Sequence, residues 1–243
     1  MITTPLSALS YLLAGFKLLH SKGLKRYVYM PLMISMLIFI VLISWASHLL
    51  LSLVDRLNST LPHWLQWLSW LLWPLFVISA GVFIIYTFNL IANWVGAPFN
   101  SLLSQKVEEL ISQQTSPSQD SIFSSLKDLP RLLKRQFALV LYYIPRLVLL
   151  GILFLIPGIN GIVALLWLMF NAWTLAMQYL DYPMDNHKIS LANMRQTMQS
   201  QKLKYLIFGS LIMLGMLIPL INFFIMPAAV IAATLMWLDE NKS

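Results

Sequence analysis

Long uncharged stretches separated by short polar segments run along this chain and predict apolar helices. The first stretch, 28–54, is long enough to cross a hydrocarbon core about 30 Å thick with some tilt. The second, 64–99, would be roughly 54 Å long as a single helix, which is more than one crossing needs. We therefore predict two long transmembrane helices, the second of which projects beyond the bilayer.

The segment before them, 4–20, predicts a separate helix. Pro5 directly follows Thr4, an arrangement that favours a helix start, and apolar side chains recur at helical spacing at Leu6, Leu9, Leu13 and Phe16. This pattern fits an amphipathic helix in the membrane interface or a short solvent helix packed on the rest of the protein. We expect the interfacial helix.

Two later apolar zones share a pattern that suggests an internal repeat. The polar segment 100–136 precedes them and predicts a helical excursion into the cytoplasm. The zones themselves, 137–180 and 206–238, each break at Ile-Pro-x-Ile-Asn, at 156–160 and 218–222. The repeat predicts two helix–turn–helix hairpins, in a protein that is all-α.

The first arm of the second hairpin is too short for a full crossing. Its 206–218 segment would span about 20 Å as a helix, less than the ~30 Å hydrocarbon core. A broken backbone survives at membrane depth where protein buries it or a water-filled cavity adjoins it. We therefore expect partly penetrating, re-entrant hairpins; the alternative is two ordinary hairpins whose turns reach the far interface.

Composition and charge strengthen the membrane prediction. The chain of 243 residues is 59% hydrophobic and 10% charged, whereas soluble domains carry about 25% charged residues. Its net charge is +7, but the basic residues flank the apolar runs, so they indicate membrane orientation and not nucleic acid as a partner. All but two of the 16 Lys and Arg, Arg56 and Arg146, fall on one side of the predicted topology. The positive-inside rule then places both termini in the cytoplasm.

The pattern of reactive residues argues against an enzyme and favours an anion as ligand. The chain has no cysteine, no G-x-S-x-G, no H-E-x-x-H and no Walker A loop, and its four histidines are scattered, so we predict no catalytic site, cofactor or metal. Acidic residues are missing from 129–180 and 186–238, although proton- and cation-coupled carriers commonly use intramembrane carboxylates. Cations, amides and backbone N–H groups remain, and these favour an anion.

The first candidate for an anion site is the segment just before the first long helix. Gly23 lets the backbone approach a ligand, Lys25 and Arg26 add positive charge, and N–H groups at a helix start point at anions. Cations beside a first transmembrane helix also set topology or touch lipid phosphate, and that reading stays open. The other candidates either line a polar path or have a structural role, which for the asparagines is to cap or bridge helices: Asn89, Asn93, Asn100, Glu108, Arg146, Asn160 and Asn222. Arg146 lies inside an apolar run and is either functional or extends to the membrane interface.

Three stretches resemble the CysZ sulfate permease family of bacterial inner membranes. They are "GLKRYVYMPLMISMLIF" at 23–39, "NLIANWVGAPFNSLLSQKVEE" at 89–109 and "YLDYPMDNHKI" at 179–189. The resemblance implies two long transmembrane helices with partly penetrating hairpins, assembly as homo-oligomers, and sulfate uptake for cysteine biosynthesis. It also implies sulfate binding at Gly23, Leu24, Lys25 and Arg26, with sulfite as a further ligand or regulator.

Two points temper what the resemblance implies. Family members carry Gly-Leu-Arg at the sulfate-binding segment, so Lys25 keeps the charge but lacks the planar fork of arginine. The hairpins are also compatible with an accessory or assembly factor that stabilises other membrane proteins and carries no flux. A permease requires Asn160, Asn222 and the 23–26 segment to converge on one polar route.

Overall fold

The computed structural model describes residues 5–60, 66–112 and 129–241, and this part of the chain is helical without any β-strand. Eight helices lie in it: α1 Pro5–Leu18, α2 Lys25–Thr60, α3 Gln66–Ser112, α4 Leu129–Phe154, α5 Asn160–Asn186, α6 Leu191–Ser200, α7 Lys202–Met216 and α8 Pro219–Asn241. The two predicted long helices correspond to α2 and α3. Position 4, positions 64–65 and positions 113–128 of the predicted segments lie outside the described residues. The rest of the predicted excursion continues α3 and begins α4.

Within the described residues, four helices are long and apolar enough to span a membrane: Lys25–Leu53, Pro130–Phe154, Asn160–Asn186 and Ile221–Asn241. The protein is therefore an all-α, multi-pass membrane protein, as the uncharged runs predict. The helix α7 has 15 residues, about 22 Å, and so is shorter than a hydrocarbon core, as expected for the first arm of the second hairpin.

The chain consists of two compact units, each defined by the contacts among its own residues. One comprises Met1–Val28 and Pro98–Ser243, and the other comprises Tyr29–Ala97. In the second unit, apolar side chains of α2 and α3 line a shared groove: Leu42, Trp45, Ala46, Leu49, Ala80, Phe83, Ile84 and Thr87. The first unit holds both predicted hairpins and α1.

The first hairpin consists of α4 and α5, which run antiparallel. Arg135 contacts Asp181 near the open end, and the ring of Tyr143 meets that of Phe170 edge-on, 6.2 Å between centroids, closer to the turn. The chain reverses at Gly158, whose φ of +92° is a conformation that only glycine adopts without strain. Pro157 and Gly158 therefore form the tip of this hairpin.

The second hairpin consists of α7 and α8. Lys204 and Tyr205, at the start of α7, both contact Glu240 at the end of α8. Gly215 lies against the side chain of Ile225 beside the turn, where a Cβ would come within 2.7 Å of that isoleucine. In this structure both apolar zones form antiparallel hairpins.

Small residues bring the two hairpins together. Gly209 of α7 lies directly against the carbonyl oxygen of Ala172 in α5, too close for any Cβ. Beside it, Phe208 and Ile212 are fully buried, as is Ala176. This close approach of the two backbones lets α5 and α7 pack at short range, much as small-residue faces do in membrane helix pairs.

The helix α1 packs on α8 with a face other than the one its leucines suggest. Ala8, Leu12 and Leu19 are buried, and Gly15 lies against the backbone of Ala228. Of the predicted apolar stripe, Leu9 and Leu13 remain exposed, whereas Phe16 is partly buried against the core. Two faces of α1 are therefore apolar: one packs on the protein, and the other is free to meet lipid.

Candidate functional site

The predicted anion segment forms a tight turn that leads into α2. Gly23 has a φ of +102°, and nothing lies within 4 Å of where a Cβ would stand. Leu24 is buried, with 1% of its surface exposed, and its N–H donates to the Ser21 carbonyl at 3.3 Å. The buried leucine anchors the turn, so the residues on either side of it face outward from a fixed backbone.

The start of α2 offers several hydrogen-bond donors to an anion. Its first α-helical bond runs from Val28 N–H to the Leu24 carbonyl, so the N–H groups of Lys25 and Arg26 precede the helical ladder. Both side chains are exposed, and neither pairs with a carboxylate within the described part of the chain. The buried Ser21 hydroxyl nearby also lacks a partner there. Free donors, two cations and the positive end of a helix dipole together suit a small anion.

A second polar region lies where α3 meets the end of α5. Ser101 donates through its hydroxyl to Asn186 Oδ1 at 2.7 Å, and Asn186 Nδ2 donates back to the Ser101 carbonyl at 3.1 Å. Gln105, one turn along, donates to the same Oδ1 at 3.2 Å. Asn100 Nδ2 reaches the Tyr182 hydroxyl at 3.2 Å. The polar face of α3 therefore holds the end of α5 in one register.

The same face of α3 continues to Glu108, which meets a histidine. His187 Nε2 lies 2.9 and 3.0 Å from the two carboxylate oxygens of Glu108. The imidazole also stacks on the ring of Trp237 in α8, with 4.1 Å between centroids. Glu108 thus serves in a contact that joins α3, α5 and α8.

Two buried aspartates and two arginines form an ion cluster between α4 and α5. Arg135 contacts Asp181 at 2.7 Å and Asp185 at 3.1 Å, and Arg131 contacts Asp185 at 2.6 Å. The two aspartates are 4% and 3% exposed, so their charges require these partners. We refer to these four residues as the ion cluster.

The ion cluster contacts the loop after α5, and two of its polar atoms have no hydrogen-bond partner among the described residues. The chain leaves α5 through Lys188, whose φ of 57° is left-handed, and Arg135 Nη1 donates to the carbonyl of Ile189 at 2.6 Å. Arg135 Nη2 and Asp185 Oδ2 are buried without a hydrogen-bond partner among the described residues. The cluster therefore has capacity for one more donor and one more acceptor.

A third polar contact closes the open end of the second hairpin. Glu240 accepts from Lys204 Nζ at 2.6 Å and from the Tyr205 hydroxyl at 2.7 Å. Burial raises the pKa of Tyr205 well above its ordinary value, and the neighbouring Glu240 carboxylate raises it further. The Tyr205 hydroxyl therefore stays protonated and donates to Glu240 at any physiological pH.

The predicted polar residues do not all meet. Asn100 and Glu108 belong to the contacts between α3 and α5, while Arg146 lies exposed on α4 outside them. Asn160 and Asn222 are exposed at the two hairpin tips. Asn89 and Asn93 fall within α3, but their side chains lie outside the described part.

Asn160 has a local structural role at its tip. In the amide orientation that matches its neighbours, its nitrogen donates to the carbonyls of Phe154 and Ile156, both at 3.0 Å. It therefore caps the end of α4 across the turn.

The tip of the second hairpin lies at the same end of α8 as the 19–24 turn. The helices α1 and α8 run in opposite directions, because Tyr11 contacts Asp239 and Gly15, further along α1, contacts Ala228, further back along α8.

Sequence reasoning missed the ion cluster although a signal was present. Arg131 and Arg135 are four residues apart, as are Asp181 and Asp185, so each pair lies on one face of its helix. Their matched spacing on the two arms of one predicted hairpin could have indicated the pairing. The arginines instead entered the count of topology-setting cations.

The family comparison covers most of the chain. A family model described as "Sulfate transporter CysZ/Etoposide-induced protein 2.4" matches residues 11–227. The matched range includes the 23–26 segment, the polar face of α3 and the ion cluster.

Proposed function

This chain belongs to the sulfate transporter CysZ/etoposide-induced protein 2.4 family, and on that basis we propose that it imports sulfate across the bacterial inner membrane to supply cysteine biosynthesis. It is a multi-pass membrane protein of a transporter family. In this proposal it acts as a channel-like permease, not as an enzyme. Sulfite, a closely similar oxyanion, would be a further ligand or regulator.

The turn at 23–26 carries the proposal. It combines an open glycine in a left-handed conformation, exposed Lys25 and Arg26, and N–H groups that precede the first helical hydrogen bond. In this proposal sulfate accepts from the N–H groups of Lys25 and Arg26, and the Arg26 fork binds two of its oxygens. Lys25 adds a point charge. Leu24 takes part through its backbone, because its side chain is buried and holds the turn in place.

Asp181 and Asp185 fall within a candidate membrane span, and both are paired with arginines. In this proposal the ion cluster holds α4 against α5 and does not carry protons.

The energetics set a condition on passive import. A dianion that enters against an inside-negative potential of 100 mV faces about 4.6 kcal/mol, which corresponds to an inward gradient of more than a thousandfold. In this proposal the gradient is sustained because sulfate is consumed inside the cell. We further propose that both termini face the cytoplasm and that the protein works as a homo-oligomer in the inner membrane.

The test is labelled-sulfate entry into proteoliposomes that contain the pure protein. We expect flux from the intact protein and a loss of about tenfold or more in Lys25→Ala/Arg26→Ala, since two charge-assisted contacts are removed. Lys134→Ala/Lys202→Ala is a matched control, because it removes two exposed cations elsewhere. It should transport normally.

Each other outcome has a definite meaning. Equal flux in the site variant and the control would return the 23–26 cations to a role in topology. No flux from intact, verifiably folded protein would favour the accessory or assembly role. Flux that requires a proton gradient and accumulates sulfate would refute the channel-like mechanism.

A further inference from the structure

One cation on the surface of α4 lies among exposed apolar side chains. Arg146 is exposed inside the candidate span Pro130–Phe154, and its neighbours Val148 and Leu149 are more than half exposed. Its guanidinium carbon lies 3.6 Å from the ring centroid of Tyr142, and its Nη1 donates to the Tyr142 carbonyl at 2.6 Å. The charge is therefore drawn back by one helical turn, toward the start of α4.

A second guanidinium meets the same ring from another helix. Arg195 of α6 lies 5.0 Å from the Tyr142 centroid, and its Nε donates to the Leu191 carbonyl at 3.1 Å. Neither arginine pairs with a carboxylate within the described residues. Two positive charges are therefore gathered at one tyrosine, and no described residue offers them a carboxylate.

The surroundings mark a border between polar and apolar surface. Ser190 caps the start of α6, its hydroxyl accepting from the Asn193 N–H, and α6 exposes Gln196 and Gln199. Beyond Arg146, by contrast, the surface of α4 is apolar to its end. Tyrosine and arginine with this division on either side are typical of the level of lipid headgroups.

We propose that Arg146 and Arg195 bind the phosphate of an anionic phospholipid, with Tyr142 holding both guanidiniums. Guanidinium matches a phosphate geometrically, and an exposed cation in apolar surroundings is stabilised by an anion that the bilayer supplies. This site is independent of the proposed sulfate transport.

The site also fixes how deep the first hairpin reaches. If phosphate lies at the level of Tyr142, where both guanidiniums meet, α4 continues only over 143–154, about 18 Å, before its tip. That distance is well short of a ~30 Å hydrocarbon core. The hairpin therefore enters and leaves the bilayer from one side.

Lipid retention tests the site. Native mass spectrometry of the purified protein should show phosphatidylglycerol retained in preference to phosphatidylcholine. Retention should fall about tenfold or more in Arg146→Gln/Arg195→Gln and stay unchanged in Lys134→Gln/Lys202→Gln, which removes two exposed cations away from Tyr142. Equal retention of the two lipids by the unaltered protein would overturn the proposal, whatever the variants do.

Two further measurements separate the sources of the anion and the depth of the hairpin. Sulfate in excess should not displace the retained phosphatidylglycerol; displacement would assign the site to free oxyanions instead. Because the chain has no cysteine, Leu155→Cys provides a unique label at the tip, where the leucine is 80% exposed. A membrane-impermeant thiol reagent should fail to reach it from either side of the bilayer. Labelling from the side opposite α6 would show a full crossing and refute the placement.

Discussion

Removing Arg135 should destabilise the protein more than removing any exposed cation. Its side chain is 11% exposed and compensates two aspartates that are nearly inaccessible to water. In Arg135→Met, Asp185 keeps Arg131, but Asp181 loses the ion-pair partner that contacts it. An uncompensated buried charge costs about 3–5 kcal/mol.

Thermal unfolding in detergent gives the measurement. For a chain of this size, about 3–5 kcal/mol corresponds to a fall of roughly 6–20 °C in the unfolding midpoint. Lys134→Met is the matched control, because the adjacent lysine is exposed, and it should change stability by less than about 0.5 kcal/mol. The double variant Arg135→Met/Asp181→Leu should recover much of the loss, since it removes both charges together.

The outcome that would refute this reasoning is equally specific. A midpoint for Arg135→Met within the range of the Lys134→Met control would mean that water or lipid compensates Asp181. Failure of the double variant to recover stability would mean that Arg135 acts through packing and through its bond to the loop carbonyl, not through the charge of Asp181.

Further variants test the turns and close contacts. Gly209→Ala should sharply reduce the folded yield, because a Cβ there meets backbone, whereas Gly151→Ala, in open space, should not; equal yields would refute the close contact. Gly23→Ala and Gly158→Ala should each cost about 1–2 kcal/mol of strain, but only the first should weaken sulfate binding measured by calorimetry. Tyr205→Phe should cost about 1.5–3 kcal/mol in thermal unfolding. The raised pKa of this tyrosine means that the unaltered protein loses stability as pH rises above the ordinary value of 10.0, and this loss should be smaller in the phenylalanine variant.

Much of the fold follows from local pattern. The uncharged runs indicate α2 and α3, and the repeated Pro and Asn locate both hairpin tips, because helix length and turn chemistry depend on neighbouring residues. The short length of α7 follows from the small number of residues between Lys204 and Pro219. These properties need no knowledge of the tertiary partner.

The candidate site could be predicted less well from the sequence, because its contacts join segments that are distant along the chain. Glu108 was recognised as a candidate, but nothing local shows that His187 lies opposite it. The leucines of α1 suggest its apolar face, yet the buried face contains Ala8 and Gly15, whose small size matters only once the backbone of α8 is known. Small residues at close contacts carry little hydrophobic signal and are therefore missed.

The packing of α1 on α8 has a consequence for biosynthesis. Tyr11 of α1 contacts Asp239 of α8, and these residues are 228 positions apart in the sequence. The helix α1 therefore leaves the ribosome long before α8 is synthesised. Until translation reaches α8, the Ala8–Leu12 face needs another apolar environment, which the exposed Leu9 and Leu13 can secure by holding α1 at the bilayer surface. The helix α8 then completes the first unit. A ribosome that stalls before α8 is made leaves an inserted, unfinished protein whose exposed apolar face quality-control proteases can recognise.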